Sequence, residues 1–408
     1  MDAEVRDYRD DDLPSVTRMW REVGWIEHDS ERQAEALGHL LRYGAARVGV
    51  VADDAECLVH RTPGTIRYDR LDLPLCAITA VTTSPIARNL GLASRMTAEA
   101  IAAGASDGAA VAALGMFEQG FYDRFGMGTL AYVDHLSFDP AKLRVDSPRR
   151  APVRVTRDDW EEVAGLMARR ARRHGSVNLD PPEALKVELA WVEDPYLGFG
   201  FRTGDGRLSA CVVGTSSGEH GPFKVELFVY EDDDDLRDLL GLLRSLSAQL
   251  HRVQMVEPAG IQLQDLIDRP IRGTEPDDPD HKAWHTAMAW YQLRILDLPA
   301  CVSARTWPGD EVRFDLVLTD PLSEADVEWP GLAGDHSITV GPTSTIHPGH
   351  RGRLPVLRAS IGALSRLWFG VRSATGLTVT DDLAGPPELL EALDRALVLP
   401  PPLPELSF

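Results

Sequence analysis

A short loop between an apolar segment and an amphipathic segment restricts the fold of this chain more than any other feature. The apolar segment is CAITAVTT, residues 76–83, and the loop that follows it carries the spacing Arg88-x-x-Gly91-x-Ala93. Apolar residues then recur with helical spacing, at Leu92, Met96, Ala100 and Ile101. This pattern predicts a strand, a loop and a helix in immediate succession.

The start of that helix is predicted to bind a pyrophosphate. The first turn of a helix has up to four unpaired N–H donors and a partial positive charge. Gly91 and Ala93 carry small side chains or none, so an anion can approach those donors closely. A strand, loop and helix arranged in this way bind phosphate groups without a dedicated lysine.

A tyrosine follows in a second strand–helix pair. The segment VAALGM, residues 111–116, is predicted to be a strand, and FEQGFYDRFGMG after it places Tyr122 on a short helix. A tyrosine on a short helix after a strand is a candidate general acid. The alternative is that Tyr122 is an ordinary aromatic residue of the core.

Length and charge restrict the class of protein. The chain has 408 residues, so two or three domains are expected, and it has no apolar stretch long enough to span a membrane. The net charge of −21 argues against nucleic-acid binding and suits a cationic partner, although acidity also serves solubility alone. The N-terminal sequence MDAEVRDYRDDD is acidic and not a signal peptide, which favours a cytoplasmic protein.

Neither the cysteines nor the histidines predict a metal site or a disulfide framework. The four cysteines are scattered and are expected to be reduced and mostly buried, at Cys57, Cys76, Cys211 and Cys301. His281 and His285 have the spacing of a metal pair on a predicted helix but lack a third ligand. The aspartate run at 232–235 is interpreted as helix capping.

The chain is predicted to contain three units. Residues 1–147 hold the motifs above, and DSPRRAP at 146–152 has the composition of a linker. The segment VRVTRDDWEEVAGLMARR then repeats the pattern of VRDYRDDDLPSVTRMWREVG, but no glycine-bearing loop follows its central strands. We therefore interpret 153–288 as a degenerate copy without a cofactor. Residues 289–408 read as short strands followed by helices at 354–369 and 386–396.

The stretch TAVTTSPIARNLGLASRM, the segment FEQGFYDRFGMG and the final phenylalanine together resemble one known family. They are similar to the Eis-like (enhanced intracellular survival) N-acetyltransferases, which belong to the GCN5-related acetyltransferase superfamily. The resemblance implies an α/β (α+β) protein with tandem acetyltransferase domains, the second degenerate, and a C-terminal domain resembling sterol-carrier proteins. It also implies acetyl-CoA as co-substrate, an aminoglycoside-like or polyamine acceptor, and a homohexamer.

Site residues follow from the resemblance position by position. Acetyl and pantetheine contacts fall on Val81, Thr82 and Thr83. Pyrophosphate contacts fall on Arg88, Asn89, Leu90, Gly91, Leu92, Ala93 and Ser94. Further cofactor contacts fall on Phe117 and Glu118. The proton donor is Tyr122, and the proton acceptor is the terminal carboxylate of Phe408. The acceptor pocket does not transfer from the family in this way, and Trp25, Glu27 and Glu405 are instead our own candidates for it.

Two departures from the family pattern concern the cofactor. Family members commonly have a run of arginines before the glycine, whereas this chain has Arg88 followed by Asn89 and Leu90. Phe117 also replaces a small polar residue. The expected reaction is direct transfer of the acetyl group in a ternary complex, with a backbone amide beside a β-bulge near Val81–Thr83 polarising the thioester. The alternatives are a lysine acetyltransferase acting on proteins or peptides, and a non-catalytic binding or scaffold protein.

Overall fold

The protein is described by a computed structural model that covers residues 3–269 and 283–406. Its strands in chain order are β1 (Ala3–Asp7), β2 (Ala45–Val51), β3 (Asp54–Tyr68), β4 (Leu71–Thr83), β5 (Val111–Gly115), β6 (Gly128–Thr129), β7 (Val133–Phe138), β8 (Val153–Arg154), β9 (Val177–Leu179), β10 (Tyr196–Arg202), β11 (Leu208–Ser216), β12 (Phe223–Tyr230), β13 (Val253–Val256), β14 (Trp284–Met288), β15 (Tyr291–Ile295), β16 (Val312–Thr319), β17 (Gly334–Val340), β18 (Thr345–Pro348), β19 (Val356–Ser360) and β20 (Leu383–Ala384). Its α-helices are α1 (Leu13–Glu22), α2 (Glu31–Leu40), α3 (Leu92–Ser106), α4 (Gln119–Asp123), α5 (Trp160–Arg169), α6 (Ala184–Trp191), α7 (Asp233–Ser245), α8 (Leu298–Ala304), α9 (Ile361–Trp368), α10 (Ala374–Thr380) and α11 (Pro387–Ala396).

The strands form three mixed sheets in the described part of the chain. The first has the order β1-β2-β3-β4-β5-β15-β6, with β9 pairing with β3, and the second has the order β14-β7-β13-β12-β11-β10-β8. The third has the order β18-β17-β16-β19-β20. In each of the first two sheets one central pair is parallel, β4 with β5 and β12 with β13, and the other pairs are antiparallel. This shared pattern agrees with the predicted repeat.

The first two sheets exchange strands across the predicted unit boundaries. Strand β7 precedes the linker at 146–152, yet it lies in the second sheet between β13 and β14. Strand β15 follows residue 288, yet it lies in the first sheet, where Tyr291 is opposite Gly115 and Ile295 is opposite Val111. The sheets therefore do not follow the predicted unit boundaries, which are 1–147, 153–288 and 289–408.

A shared core joins the third sheet to the first. One cluster of buried side chains includes residues of β3, β4 and β5 together with α8, α9 and β16. Within it the Tyr68 hydroxyl donates to the carbonyl of Trp368 at 3.0 Å. Arg294 of β15 in the first sheet is fully buried, and it pairs at 2.6 Å with Asp320, which follows β16 of the third sheet. Breaking such a pair leaves an uncompensated buried charge, so the pair couples the stability of the two sheets.

Predictions that depend on a few neighbouring residues agree with the structure at two places. Asp232 caps α7, and its side chain accepts from the backbone N–H groups of Asp234 and Asp235 at 2.9 Å, as predicted for the aspartate run. The four cysteines are free and buried, which confirms their predicted state. Among the described residues no helix is long and apolar enough to cross a membrane.

Three local predictions are wrong. Residues 356–360 form β19 and not the start of the predicted helix 354–369, because their buried and exposed positions alternate with the period of a strand. Helix α8 occupies a segment expected to be extended, since Asp297 caps it and Pro299 lies in its first turn. His285 lies on strand β14, which pairs along its whole length with β7, and not on a helix. His281 lies outside the described residues.

Candidate active site

The centre of the candidate site is a bulge in β4. Ala80 has a φ of +58°, and the pairing shifts there, because Leu58 faces Thr82 whereas His60 faces Thr79. Ala80 and Val81 therefore share one opposing residue, which is a β-bulge. The parallel pairing of β4 with β5 ends at Ile78 and Leu114. Beyond that point the two strands separate, and the backbone of β4 from the bulge to Thr83 can hydrogen-bond a ligand instead of β5.

The loop after β4 leads to an uncapped helix N-terminus. Asn89 and Gly91 both have a positive φ, +67° and +75°, which turns the chain sharply into α3. Gly91 is the N-cap residue, and no side chain caps the helix. A Cβ built on Gly91 would meet nothing within 4 Å, so the approach to the first turn is open. The unpaired N–H groups of this turn can bind an anion.

The corresponding helix of the second sheet is closed to anions. Helix α7 follows β12 as α3 follows β4, but the carboxylate of Asp232 already accepts from its first N–H donors. Asp233, Asp234 and Asp235 add negative charge in the first turn. A pyrophosphate would meet repulsion there, so this helix start is unsuited to the anion site predicted for α3.

Tyr122 lies in an aromatic pocket on α4, the short helix after β5. Its side chain is 1% exposed, and its ring packs edge-on against Phe121 at 4.9 Å and Phe117 at 6.1 Å. Burial, with a smaller contribution from the carboxylate of Glu118, raises the pKa of Tyr122 above its ordinary value. The phenol is therefore protonated at neutral pH and is able to donate a proton.

The C-terminal tail runs toward the end of β5. The carbonyl of Pro404 accepts from the N–H of Val177 at 2.8 Å, which fixes the tail against β9. Further along, the hydroxyl of Tyr291 donates to the carbonyl of Leu406 at 3.4 Å. Tyr291 is opposite Gly115, the last residue of β5, so the tail reaches the point where β4 and β5 separate. Phe408 lies outside the described residues.

A cavity of about 450 Å³ adjoins the tail. It is lined by residues of α6, β12 and the segment after β13, and by Tyr291 and residues 403–406. This volume is within the range of about 300–1,000 Å³ that is typical of small-molecule sites. The charged side chains among the lining residues are Glu188, Glu193, Glu226, Glu257, Glu405 and Lys224.

Burial raises the pKa of four carboxyl groups of this cavity. Burial, with a smaller contribution from the neighbouring carboxylate of Glu226, raises the pKa of Glu188 to about 8. Burial also raises the pKa of Glu405 to about 7, against the opposing effect of Arg170. The pKa values of Glu226 and Glu257 are raised in the same direction by burial. A bound cation would relieve this cost.

Comparison with known proteins agrees with this geometry. Residues 4–130 match the model of an acetyltransferase (GNAT) domain, and residues 298–404 match a sterol carrier protein domain. An uncharacterized N-acetyltransferase of Streptomyces avermitilis is 27% identical over 79% of each chain. One from Streptomyces griseus is 26% identical over 74% of this chain and 73% of its own.

Solved structures share the fold over the whole length. A probable N-acyltransferase from Enterococcus faecalis has a TM-score of 0.81 at 19% identity, with all of both chains covered. Eis1 from Mycobacterium abscessus has a TM-score of 0.76 at 18% identity, again with all of both chains covered. The chain is an N-acetyltransferase with a GNAT domain, and its fold is that of Eis1 and of the Enterococcus protein. This fold implies that the enzyme uses acetyl-CoA.

The structure of this acetyltransferase brings the predicted cofactor residues to one edge of the first sheet. Val81, Thr82 and Thr83 follow the bulge, and Arg88, Asn89 and Leu90 are exposed on the loop. Ala93 and Ser94 are half-buried in the first turn of α3, and the Leu92 side chain is buried in the core, which leaves only its backbone for a ligand. Phe117 and Glu118 are exposed beside Tyr122.

The predicted acceptor residues of the enzyme are only partly brought together. Glu405 lines the cavity, and its φ of +60° is unusual for this residue type. Trp25 is not among the lining residues. Its ring meets that of Trp20 edge-on at 5.0 Å, and the ring of Trp20 is 5.7 Å from that of Trp191, which lines the cavity. Glu27 is exposed and is not among the lining residues.

Sequence reasoning missed the carboxyl groups that the second sheet contributes to the cavity. Glu188 lies on a helix between apolar residues, and Glu226 alternates with apolar residues on a strand. In sequence both patterns are typical of solvent-exposed positions, so no local signal distinguishes them. His285, the remaining histidine of the considered metal pair, instead pairs with Asp134 at 2.7 Å. In the described ranges no group of three or more histidine, cysteine, aspartate or glutamate side chains has the arrangement of a metal site.

Proposed function

We propose that the enzyme transfers the acetyl group of acetyl-CoA to a primary amine of a cationic acceptor, aminoglycoside-like or polyamine, within a ternary complex. The observation that carries the proposal is the cavity beside the tail, whose lining has five glutamates and one lysine. Such a lining attracts an ammonium and disfavours an anion. The cavity also adjoins Tyr291, which faces the end of β5 where the thioester is proposed to lie.

The proposed cofactor site joins the β4 bulge to the N-terminus of α3. The pantetheine would run along Val81–Thr83 as an additional strand, and the pyrophosphate would bind the N–H groups that begin at Gly91. Arg88 on the loop supplies one positive charge. A backbone N–H of β4 beside the bulge would donate to the thioester carbonyl and stabilise the oxyanion that develops there.

In the proposed reaction the amine nitrogen bonds to the acetyl carbon and the carbon–sulfur bond then breaks. The departing thiolate takes the proton of Tyr122. The nitrogen releases its proton to the terminal carboxylate of Phe408, the proposed base. Each positioned acid or base contributes about 10²- to 10⁴-fold in rate.

Each predicted unit has its own part in the proposed reaction. Residues 1–147 hold acetyl-CoA, 153–288 supply one wall of the acceptor cavity, and 289–408 bring the terminal carboxylate. We propose that the enzyme acts in the cytoplasm and assembles as a homohexamer, since closed symmetry is the usual outcome for homo-oligomers. Light scattering tests the assembly against the mass of one chain, 44.8 kDa.

Thiol release from acetyl-CoA against a panel of amines tests the acceptor class. We expect turnover with aminoglycosides and polyamines and much lower kcat/KM with lysine peptides, because the cavity has the volume of a small-molecule site. Mass spectrometry of the products confirms N-acetylation. Preferential turnover of lysine peptides would assign the enzyme to protein acetylation, and binding of acetyl-CoA without turnover on any amine would indicate a binding protein.

A C-terminal extension tests the proposed base. Residues added after Phe408 convert its carboxylate into an amide, which has no basicity, so most of the turnover should be lost while acetyl-CoA still binds. The matched control carries the same tag at the N-terminus. An extended protein that acetylates at the untagged rate would transfer the role of base to another group or to water.

A further inference from the structure

Helix α4, which carries Tyr122, is too short to hold its own position. It spans Gln119–Asp123, five residues, whereas isolated helices shorter than about 12 residues are marginal in water. No residue of the described ranges hydrogen-bonds the hydroxyl of Tyr122, and the ring packs edge-on against Phe117 and Phe121. The position of the hydroxyl therefore depends on the contacts that hold the backbone of α4.

Strand β15 provides one such contact through the side-chain amide of Gln292. This amide donates to the carboxylate of Asp123, the last residue of α4, at 2.7 Å and to the hydroxyl of Thr129 at 3.2 Å. The amide of Gln119, the first residue of α4, donates to the same hydroxyl at 3.1 Å. A hydroxyl oxygen has two acceptor lone pairs, so it can accept both bonds. Gln292 is thus bonded directly to the last residue of the helix and is linked through Thr129 to the first.

Arg294 provides a second contact from the same face of β15, since it lies two residues after Gln292. Its guanidinium donates to the backbone carbonyl of Phe125, in the turn that follows α4. The same guanidinium pairs with Asp320 at 2.6 Å. Two side chains of one strand therefore fix the chain directly after Tyr122.

Packing alone does not explain a glutamine at position 292. Gln292 is fully buried, and its Oε1 atom has no hydrogen-bond partner within the described chain. A buried acceptor without a partner is unfavourable, and a leucine of similar volume would fill the place without one. Asp123 is exposed, so water can solvate its carboxylate without Gln292. The amide is therefore better explained by the position that it gives α4 than by a gain in stability.

We propose that Gln292 is a positioning residue for the proton donor, because its amide holds α4 with the hydroxyl of Tyr122 within reach of the departing thiolate. Arg294 supports it by holding the turn that follows. Since β15 belongs to the predicted unit 289–408, this unit contributes to the acid as well as to the base. The inference rests on the proposed function, in which Tyr122 protonates the thiolate. A displacement of about 1 Å in a catalytic group can lower the rate on the order of 10²-fold.

Thiol release with the best amine of the panel tests the role of Gln292. Gln292→Leu should lower kcat about 10- to 100-fold, while calorimetry gives an unchanged affinity for acetyl-CoA. Its Tm should fall by less than about 4 °C, since the new side chain fills the same space. Asp123→Ala removes the acceptor and should lower kcat to the same extent, and the two substitutions together should lower it no further. Asp123→Asn keeps an acceptor oxygen and should recover most of the kcat.

The comparison that separates positioning from stability is made in the Tyr122→Phe background. If Gln292 acts through the Tyr122 hydroxyl, Gln292→Leu should cause no further loss of kcat once that hydroxyl is gone. An equal loss of kcat in both backgrounds would overturn the positioning role. Asp123 is exposed, so Asp123→Ala makes the same comparison even if Gln292→Leu fails to fold.

Ser365→Ala is the control for the loss of a hydrogen bond to β15. The buried hydroxyl of Ser365, on α9, accepts from the backbone N–H of Ile295 at 2.9 Å, and neither residue hydrogen-bonds α4. This variant should have a lower Tm and an unchanged kcat. A full kcat in Gln292→Leu, where Tyr122→Phe loses it, would overturn the positioning role and leave the proposed function intact. Thiol release with none of the amines would overturn the proposed function and the positioning role with it.

Discussion

Tyr122→Phe is expected to lower kcat for acetyl transfer by about 10²- to 10⁴-fold while acetyl-CoA binds as tightly as before. The substitution removes one hydroxyl and keeps the ring, so the edge-on packing against Phe121 and Phe117 is retained. The leaving thiolate then has no positioned proton donor. The rate at which thiol is released from acetyl-CoA gives kcat, and calorimetry measures the affinity for acetyl-CoA.

Tyr132→Phe is the matched control for this substitution. Tyr132 is 55% exposed, lies between β6 and β7, and is not among the residues that line the cavity. It should retain the activity of the parent enzyme. If Tyr122→Phe also retained kcat, Tyr122 would be a core aromatic residue, and the proton for the thiolate would come from solvent or from another group.

Gly91→Glu is expected to abolish acetyl-CoA binding. The new carboxylate would lie at the open N-terminus of α3, where it would occupy the N–H donors as Asp232 does at α7 and would repel the pyrophosphate. The site has room for the side chain, since a Cβ there meets nothing within 4 Å. The positive φ adds a strain of about 1–2 kcal/mol, which the fold must tolerate.

Gly108→Glu is the control for this substitution, because it carries a similar backbone strain but leaves the anion site at the start of α3 intact. Gly108 lies just beyond the other end of α3, has a φ of +90°, and also has open space around its Cβ position. Its variant carries the same side chain under similar backbone strain and should bind acetyl-CoA normally. Calorimetry should give one site per chain for the parent and none for Gly91→Glu. Normal binding by Gly91→Glu would place the pyrophosphate elsewhere, and two sites per chain would contradict the degenerate second unit.

The elements of the proposed cofactor edge could be predicted because they are contiguous in sequence. The turn at Gly91, the helix that follows it and the aspartate cap at Asp232 each depend on residues within one turn of the helix they begin. Prediction from local sequence was wrong at 356–360, because a short apolar run is compatible with both a helix and a strand. It also failed at His285, because β14 exists through its pairing with β7, more than a hundred residues away in sequence.

The sequence by itself determined the strand, loop and helix of the β4–α3 edge and the strand pattern that recurs in the second sheet. Only the tertiary structure decided which sheet receives β7 and β15, and which glutamates meet in the cavity beside the tail. The reason is physical. A helix N-terminus acts through bonds within a few residues, whereas the pKa of Glu188 depends on burial and on a carboxylate from a different element, Glu226. That environment exists only after the helix, the strand and the tail have packed together.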